Sequence, residues 1–303
     1  MNQPTRDLSL AALLITVLLW ASAFVGIRAI GDTFSPASLT LGRLVIGVLV
    51  LTAIARPDKH RFPTGRPLLL VVIYGVVWFG LYNIFLNAGE RYLDAGTSAL
   101  IINIAPAIVA LLAGVLLKEG FPRLLVIGMA VAFAGVALIA LSSNDSNAVE
   151  TASGKGVVLC LLAAVVCAFG VIAQKLALAH IAPVMSVWLG CLVGVVMCLP
   201  FAPHLIGEIQ DASAHDILWL AYLGVFPTAV GFSTWSYALK RLSSGQTAST
   251  TYLVPMVATL ISWAVLDEVP AALAFVGGAL CLIGVAITRL KRRQPLPARA
   301  AAS

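Results

Sequence analysis

Charged residues are scarce in this sequence. Asp, Glu, Lys and Arg make up 11% of its 303 residues, whereas a soluble domain usually carries about a quarter. Hydrophobic residues make up 60%, and the mean hydropathy is +1.01. A bilayer offers no hydrogen bonds, so a lipid-facing surface must be apolar and backbone groups must pair internally. The composition therefore excludes an ordinary water-soluble protein and predicts an all-α polytopic membrane protein.

Patterns that hold metals or catalyse reactions are also missing. The five cysteines lie inside apolar runs without a CxxC spacing, and the four histidines lie near loops without metal-ligand spacing. The sequence has no HExxH motif, no GxSxG arrangement and no acidic pair within an apolar run. We therefore expect no metal and no other cofactor, and the alternative of an intramembrane enzyme lacks a candidate nucleophile.

Basic residues outnumber acidic ones, 19 to 13, and the pI is about 9.2. Most Lys and Arg residues lie in short loops between apolar runs, and no basic stripe interleaves with exposed aromatic residues. Loop charge of this kind sets the orientation of a membrane protein. We therefore expect the lipid bilayer, and not a nucleic acid, as the large partner of this chain.

Ten apolar runs are long enough to cross the hydrocarbon core, which takes about 20 residues. We number them spans 1 to 10, and they cover residues 8–30, 36–55, 67–89, 94–116, 122–142, 154–179, 183–202, 215–239, 245–265 and 270–290. With both termini in the cytoplasm, most basic residues fall on the cytoplasmic side and most acidic residues on the other. This asymmetry predicts a multi-pass protein of the cytoplasmic (inner) membrane with both termini cytoplasmic.

The two halves of the chain resemble each other at a fixed offset. Residues of the first half recur 149 positions later, and the pairs are Gly75 and Gly224, Gly96 and Gly245, Pro106 and Pro255, Glu119 and Glu268, Gly128 and Gly277, and Gly135 and Gly284. Near the start of each half the offset is 147, because Arg28 and Pro36 correspond to Lys175 and Pro183.

Each half contains five spans. Because five is odd, the second half enters the membrane from the opposite side, so ten helices form two inverted five-helix repeats. Such repeats are a known route to alternating access, although an old duplication without a mechanistic role would leave the same pattern. We expect a first repeat at 1–143, an external linker at 144–153, a second repeat at 154–290 and a basic cytoplasmic tail at 291–303.

Several short motifs occur in the same order along this duplicated framework. They are Trp20 to Phe24 in span 1, Pro36 with Arg43 in span 2, residues 92–119 across span 4, and Tyr237 to Leu239, Pro255 and Asp267-Glu268 in the second half. Over nearly all of residues 8–290, the chain resembles the EamA-type transporters of the drug/metabolite transporter superfamily.

The resemblance implies a ten-helix basket around a central cavity lined mainly by spans 1, 3, 4, 6, 8 and 9. It also implies the export of amino acids and other metabolites. The second half departs from the first at one position, where Gly190 stands in place of Arg43. Any role that depends on this charge is therefore confined to one repeat.

Two prolines inside spans are candidate hinges. Pro106 and Pro255 lack an N–H, so each leaves a carbonyl one turn earlier without its helical partner. Polar side chains precede them, namely Asn103 in span 4 and its equivalent Tyr252, with Thr251, in span 9. Amides and hydroxyls can bind a zwitterion without burying net charge. The alternatives are static kinks and hydroxyls that bond back to their own helix.

Span 3 contains Trp78, Tyr82, Asn83 and Asn87, which form two i,i+4 pairs on faces about 100° apart. They predict one wide mixed wall of a cavity, with Asn83 the better candidate since Asn87 lies nearer the outer interface. Trp20, Phe24 and Trp235 would add further aromatic walls, with placement in an interfacial belt the alternative for Trp235.

Arg43 lies about seven residues into span 2, roughly 10 Å along the helix. Its side chain either snorkels outward or faces the cavity and binds a carboxylate.

These features predict a secondary transporter that exports a small polar metabolite, an amino acid or a related compound, by alternating access. A non-transporting scaffold or receptor is the alternative. The predicted substrate-binding residues are Trp20, Arg43, Trp78, Tyr82, Asn83, Asn103, Thr251 and Tyr252. Gly190 and Gly194 form a GxxxG pattern that serves either internal packing or a homo-oligomer surface.

Overall fold

The computed structural model describes residues 3–56, 62–92, 101–142, 154–266 and 272–290. Within these ranges the secondary structure is helical, without strands. The first repeat contains the helices Gln3–Ile30, Pro36–Ala55, Arg66–Tyr74, Gly75–Tyr82, Asn83–Gly89, Ala105–Leu116 and Arg123–Ser142. The start of span 4, the predicted linker, the pair Asp267-Glu268 and the predicted tail lie outside the described residues.

The second repeat follows the same order with a longer connection after span 7. Its helices are Gly154–Ala177, Pro183–Cys198, Leu199–Phe201, Ala202–Asp211, Ala214–Leu223, Gly224–Gly231, Phe232–Arg241, Ser244–Ser249, Thr250–Tyr252, Leu253–Leu266 and Ala272–Arg289. The predicted end of span 7 at residue 202 is wrong, since a 3-10 turn leads into a further helix that ends at Asp211. This helix carries polar residues that an apolar run does not include.

Six helical segments are long and apolar enough to cross a membrane. They are Leu8–Ile27, Pro36–Ala55, Arg66–Gly89, Gly154–Ala177, Pro183–Asp211 and Ala214–Arg241. Shorter apolar helices at Ala105–Leu116, Arg123–Leu138 and Phe275–Arg289 correspond to spans 4, 5 and 10. Span 9 is interrupted by the 3-10 turn Thr250–Tyr252. The all-α, ten-helix membrane fold is confirmed.

Equivalent glycines let spans of opposite repeats approach closely. A Cβ built on Gly75 in span 3 would lie 2.7 Å from the Cβ of Val193 in span 7. A Cβ built on Gly224 in span 8 would lie 2.5 Å from the Cβ of Ile46 in span 2. Ile46 and Val193 occupy equivalent positions, so each repeat contributes the same two surfaces with their roles exchanged. This exchange is the signature of an internal two-fold relation.

Spans 5 and 10 pack backbone against backbone. A Cβ on Gly128 would lie 2.5 Å from the carbonyl oxygen of Gly284, and a Cβ on Gly135 would lie 2.5 Å from that of Gly277. Gly128 is the equivalent of Gly277, and Gly135 is the equivalent of Gly284. The contacts are therefore again exchanged between the repeats, and any larger side chain at these positions would separate the two spans.

In the middle of this contact, a residue of span 5 touches its own equivalent in span 10. The Sγ of Cys281 lies 3.5 Å from the carbonyl oxygen of Ala132, and the two residues are 149 positions apart. Both are fully buried. A residue in contact with its own equivalent lies on the pseudo-two-fold axis, so this axis passes between spans 5 and 10 at Ala132 and Cys281.

Spans 3 and 8 each contain a π-helical segment, and the two segments coincide under the repeat offset. They are Gly75–Tyr82 and Gly224–Gly231, and the second contains Pro227. A π-helical segment shifts the i→i+4 bonding pattern to i→i+5 and is often found at functional sites. It also rotates the side chains that follow, so a 3.6-residue period does not predict which of them face the centre.

Charged side chains near span ends cap neighbouring helices. The carboxylate of Glu119 accepts from the backbone N–H of Ser244 at 3.0 and 2.9 Å and from its hydroxyl at 2.9 Å. The Nζ of Lys175 donates to the carbonyls of Leu239 and Leu242, at 2.6 Å each. These contacts join span 4 to span 9 and span 6 to the end of span 8.

The GxxxG pattern of span 7 faces the interior. A Cβ on Gly190 would collide with the ring of Tyr74, and a Cβ on Gly194 would lie 2.8 Å from Leu44 and 3.0 Å from Phe79. The pattern therefore serves internal packing, and the oligomer-surface alternative is wrong for these two glycines.

Candidate substrate cavity

A cavity that gives the centre of a water-sized sphere about 110 Å³ of space lies between helices of both repeats. Spans 1, 2, 3, 4, 6, 8 and 9 all contribute to its wall. The resemblance implies all of these except span 2, which contributes Arg43. The lining residues include Trp20, Phe24, Arg43, Trp78, Tyr82, Asn83, Asn103, Pro106, Cys167, Phe232, Trp235 and Thr251.

Four aromatic rings from spans 1, 3 and 8 form one wall of the cavity, which we call the aromatic wall: Trp20, Trp78, Phe232 and Trp235. The ring of Trp20 lies 5.1 Å from those of both Phe232 and Trp235. The ring of Trp78 lies 5.2 Å from Phe232 and 5.8 Å from Trp235. Tilted and edge-on arrangements at these distances are the favourable ones for aromatic pairs.

Arg43 brings a positive charge to this cavity. Its side chain is only 5% exposed, so the guanidinium faces inward and does not snorkel to the outer interface. The Nε donates to the Oγ1 of Thr228 at 3.0 Å, and the Nη1 donates to the Oδ1 of Asn83 at 3.3 Å. Among the described residues, no carboxylate forms an ion pair with Arg43.

Thr228 depends on the π-helical segment of span 8. In an α-helix the carbonyl of Leu223 would accept from residue 227, but that residue is a proline without an N–H. The hydroxyl of Thr228 donates to this carbonyl at 2.8 Å. Because a hydroxyl has a single proton, the Oγ1 of Thr228 can only accept from Arg43.

Asn83 has a similar arrangement in span 3. Its Nδ2 donates to the carbonyls of Trp78 at 3.1 Å and Phe79 at 3.0 Å. These two bonds point the amide oxygen at Arg43. The two π-helical spans, one from each repeat, therefore supply one oriented acceptor each to the same guanidinium.

Most of the other predicted site residues also line the cavity. Tyr82 and Asn103 lie in its wall, and Asn103 is 7% exposed. Thr251 lines the cavity too, while its hydroxyl donates to the carbonyl of Ala248 at 2.8 Å, so it also bonds back to its own helix. Asn87 instead donates to span 2, at Thr40, 3.2 Å away.

The second-repeat equivalents of two site residues do not reach the cavity. Pro106 lines it, whereas Pro255 is buried outside its wall. Tyr252 is 1% exposed and packs against Phe133, with ring centroids 6.4 Å apart. The predicted placement of Tyr252 beside the substrate therefore does not fit this geometry, because the 3-10 turn before Leu253 directs its ring toward span 5.

The sequence prediction missed two notable lining groups, the ring of Phe232 and the thiol of Cys167. Thr228 itself was also missed as a contact of Arg43. The available signal was Pro227-Thr228, a proline inside an apolar run followed by a hydroxyl that can replace the missing N–H.

In the described part of the chain, no group of three His, Cys, Asp or Glu side chains is placed to hold a metal ion.

Comparison with known proteins agrees with this architecture. The model of the EamA-like transporter family matches residues 8–141 and 154–290. The "Probable terminal-alkyne amino-acid exporter" of Streptantibioticus cattleyicolor is 36% identical over 274 residues, which cover 90% of this chain and 91% of that protein. The "Uncharacterized transporter YdfC" of Bacillus subtilis is 32% identical over 273 residues, which cover 90% and 88%.

A solved crystal structure shares the fold. It superposes with a TM-score of 0.75 at 19% identity and covers 92% of this chain and 98% of that one. The family and the two relatives are transporters and not enzymes.

Proposed function

Because the chain belongs to the EamA-like transporter family, we propose that it exports an amino acid or a closely related zwitterion by alternating access. The family and the apolar helices make the chain a multi-pass membrane transporter. The proposal adds the substrate class, the direction and the mechanism.

The observation that carries the proposal is the buried guanidinium of Arg43. A charge inside a membrane is costly, and such residues commonly mark substrate or ion pathways. The two hydrogen-bond acceptors of Arg43 are neutral oxygen atoms, and neither carries a negative charge that would balance the guanidinium. A substrate carboxylate would neutralise it and would form the stronger, charge-assisted hydrogen bonds.

The aromatic wall suits the remainder of an amino acid. Trp, Tyr and Phe faces attract an ammonium group through cation–π contacts and also accept an apolar side chain. The relative from Streptantibioticus cattleyicolor is named for terminal-alkyne amino acids. An alkyne is slender and apolar, so a side chain of this kind is a suitable probe for the cavity.

Alternating access would use the inverted repeats. We propose that residues 1–143 and 154–290 rock against each other around the cavity, with 144–153 as an external linker and 291–303 as a cytoplasmic tail. Both termini would lie in the cytoplasm, in the cytoplasmic membrane. The hinge role of Pro106 and Pro255 belongs to the same proposal, since each lies beside a break in its helix.

Flux through liposomes tests the proposal. The purified full-length chain, reconstituted in liposomes, should move radiolabelled propargylglycine, a terminal-alkyne amino acid. Unlabelled propargylglycine should compete, whereas its carboxamide should compete poorly. Arg43→Gln should raise the KM strongly, since breaking a buried charged contact costs about 2–5 kcal/mol.

The matched control removes a charge outside the cavity. Lys155 contacts the hydroxyl of Tyr92 at an exposed site, so Lys155→Gln should leave the KM unchanged. Equal competition by the acid and the amide in folded protein would refute the role of Arg43. No flux of propargylglycine or of a panel of natural amino acids would refute the substrate class.

A further inference from the structure

We propose that Thr228 is the positioning residue that directs the guanidinium of Arg43 into the cavity for carboxylate recognition. This inference rests on the proposed function, since it assumes that Arg43 binds a substrate carboxylate. It adds a residue of the second repeat to a charge site that otherwise belongs to the first.

The need for a positioning residue follows from the reach of arginine. Arg43 lies seven residues after Pro36, the first residue of its helix, and an arginine side chain is long enough to extend along the helix toward water. The bond from its Nε to Thr228 fixes the guanidinium at the end that is attached to the aliphatic part of the side chain. The bond from Nη1 to Asn83 then fixes its rotation. Together they leave the remaining N–H groups as donors for a ligand.

Thr228 is suited to this task because its own proton is committed elsewhere. The bond to the Leu223 carbonyl at 2.8 Å leaves the Oγ1 as an acceptor that cannot rotate into a donor role. The methyl group is also fixed, since its Cγ2 packs against Gly47, where an added Cβ would lie 2.9 Å away. The Pro227-Thr228 pair therefore presents one oriented oxygen at a fixed place on span 8.

The position of Thr228 also connects the charge to both repeats. Asn83 belongs to the first repeat and Thr228 to the second, so the guanidinium bridges them. A relative movement of the two repeats changes the distance between its two acceptors. The orientation of Arg43, and with it the affinity for a carboxylate, is therefore linked to the arrangement of the repeats.

The experiment measures selectivity for a carboxylate and not only activity. Proteoliposomes containing the full chain take up radiolabelled propargylglycine, and unlabelled propargylglycine or its carboxamide competes. In Thr228→Val, which keeps the branched shape without the hydroxyl, the KM should rise roughly tenfold, the size expected for one lost bond to a charged group. Competition by the carboxamide should be unchanged, so the preference for the acid should fall by the same factor.

Two variants separate positioning from a structural role. Thr228→Ser keeps the hydroxyl and should restore the KM to within about twofold. Ser233→Ala removes a hydroxyl that bonds to its own helix, at the carbonyl of Ala229, 2.6 Å away, and should leave the selectivity unchanged. Thr228→Ala provides a second test if the valine variant fails to fold.

The outcomes are distinct. If Arg43→Gln abolishes the preference for the acid and Thr228→Val leaves it intact, the inference fails while the proposed function stands. If Thr228→Val weakens competition by acid and amide equally, Thr228 is structural and the inference also fails. If wild-type protein neither moves propargylglycine nor prefers the acid to the amide, the proposed function fails first and the inference falls with it.

Discussion

The two repeats have the same backbone arrangement around equivalent positions. The large and the small side chain of each contact, however, are exchanged between them. In the first repeat Arg43 is large and faces the small Thr228 of span 8. In the second repeat its equivalent is Gly190, and the space is filled by Tyr74 and Phe79 of span 3. Phe79 is the equivalent of Thr228, so each contact pairs a large residue with a small one. The pairing of a large with a small residue is retained, whereas the charge is present in one repeat alone.

The same exchange occurs on the cavity wall. Trp20 of span 1 lies beside Gly231 of span 8, where an added Cβ would lie 3.1 Å from its Nε1. The equivalents of these residues are Cys167 and Tyr82, and both also line the cavity. A duplicated scaffold can therefore keep its packing while it collects polar groups from spans 2, 3, 4 and 9 and aromatic rings from spans 1, 3 and 8.

The largest effect is expected from a second arginine at the position equivalent to Arg43. Gly190→Arg would drive a charged side chain into Tyr74 and Phe79, and we expect a loss of more than about 3 kcal/mol in stability, because the space is full and the charge would lack a partner. Thermal unfolding and size-exclusion chromatography of the purified variant would measure this loss.

The same substitution at a free surface is its control. Gly207 has no neighbour within 4 Å of an added Cβ, so Gly207→Arg should unfold at nearly the wild-type temperature. Adding Tyr74→Leu and Phe79→Thr to Gly190→Arg would copy the first-repeat pocket and should recover part of the stability. A Gly190→Arg protein as stable as wild type would show that large and small residues are not matched as described.

A smaller effect, on the KM, is expected when Trp235 is replaced by the residue type of its first-repeat equivalent. Trp235 corresponds to Leu86, and both line the cavity. Trp235→Leu should raise the KM for propargylglycine about fivefold, close to the 1 kcal/mol typical of an aromatic contact. Trp188→Leu is the control, since its Nε1 bonds to Thr52 at 2.8 Å outside the cavity and its loss should lower stability without changing the KM. An unchanged KM in the Trp235 variant would exclude this ring from binding.

The smallest effect concerns the caps. Glu119 accepts three hydrogen bonds from Ser244, so Glu119→Ala should lower the free energy of unfolding by about 1 kcal/mol. Glu268 is its equivalent in the sequence and lies outside the described residues. If the repeats are symmetric here, Glu268→Ala should have an effect of the same size in thermal unfolding. A large difference between the two variants would mean that the caps differ between repeats.

Fold and repeats could be predicted from the sequence because their signals are periodic and long. Apolar runs mark the spans, and recurring glycines such as Gly75 and Gly224 mark the duplication. The position of Asn83 was also predicted, but for an incomplete reason, because the α-helical period places Trp78 and Asn83 on different faces. The π-helical segment Gly75–Tyr82 brings both to the cavity.

Other parts of the site depend on contacts between distant spans. Whether Arg43 faced inward was undecided from the sequence, because the answer depends on Thr228, 185 residues away. Tyr252 is the opposite case, since its polar character and its place before Pro255 favoured the cavity, while the 3-10 turn Thr250–Tyr252 turns it toward Phe133. Local sequence gives no sign of this 3-10 turn.

The meeting of Ala132 with Cys281 bears on how such a molecule can originate. In an antiparallel pair of identical five-helix chains, one residue would face its own copy at this place, and only a small side chain would fit between backbones that approach as closely as those of Gly128 and Gly284. A half-length ancestor inserted in both orientations could therefore assemble through this seam before its gene was fused, and the later asymmetry could accumulate at the cavity while the seam stayed small.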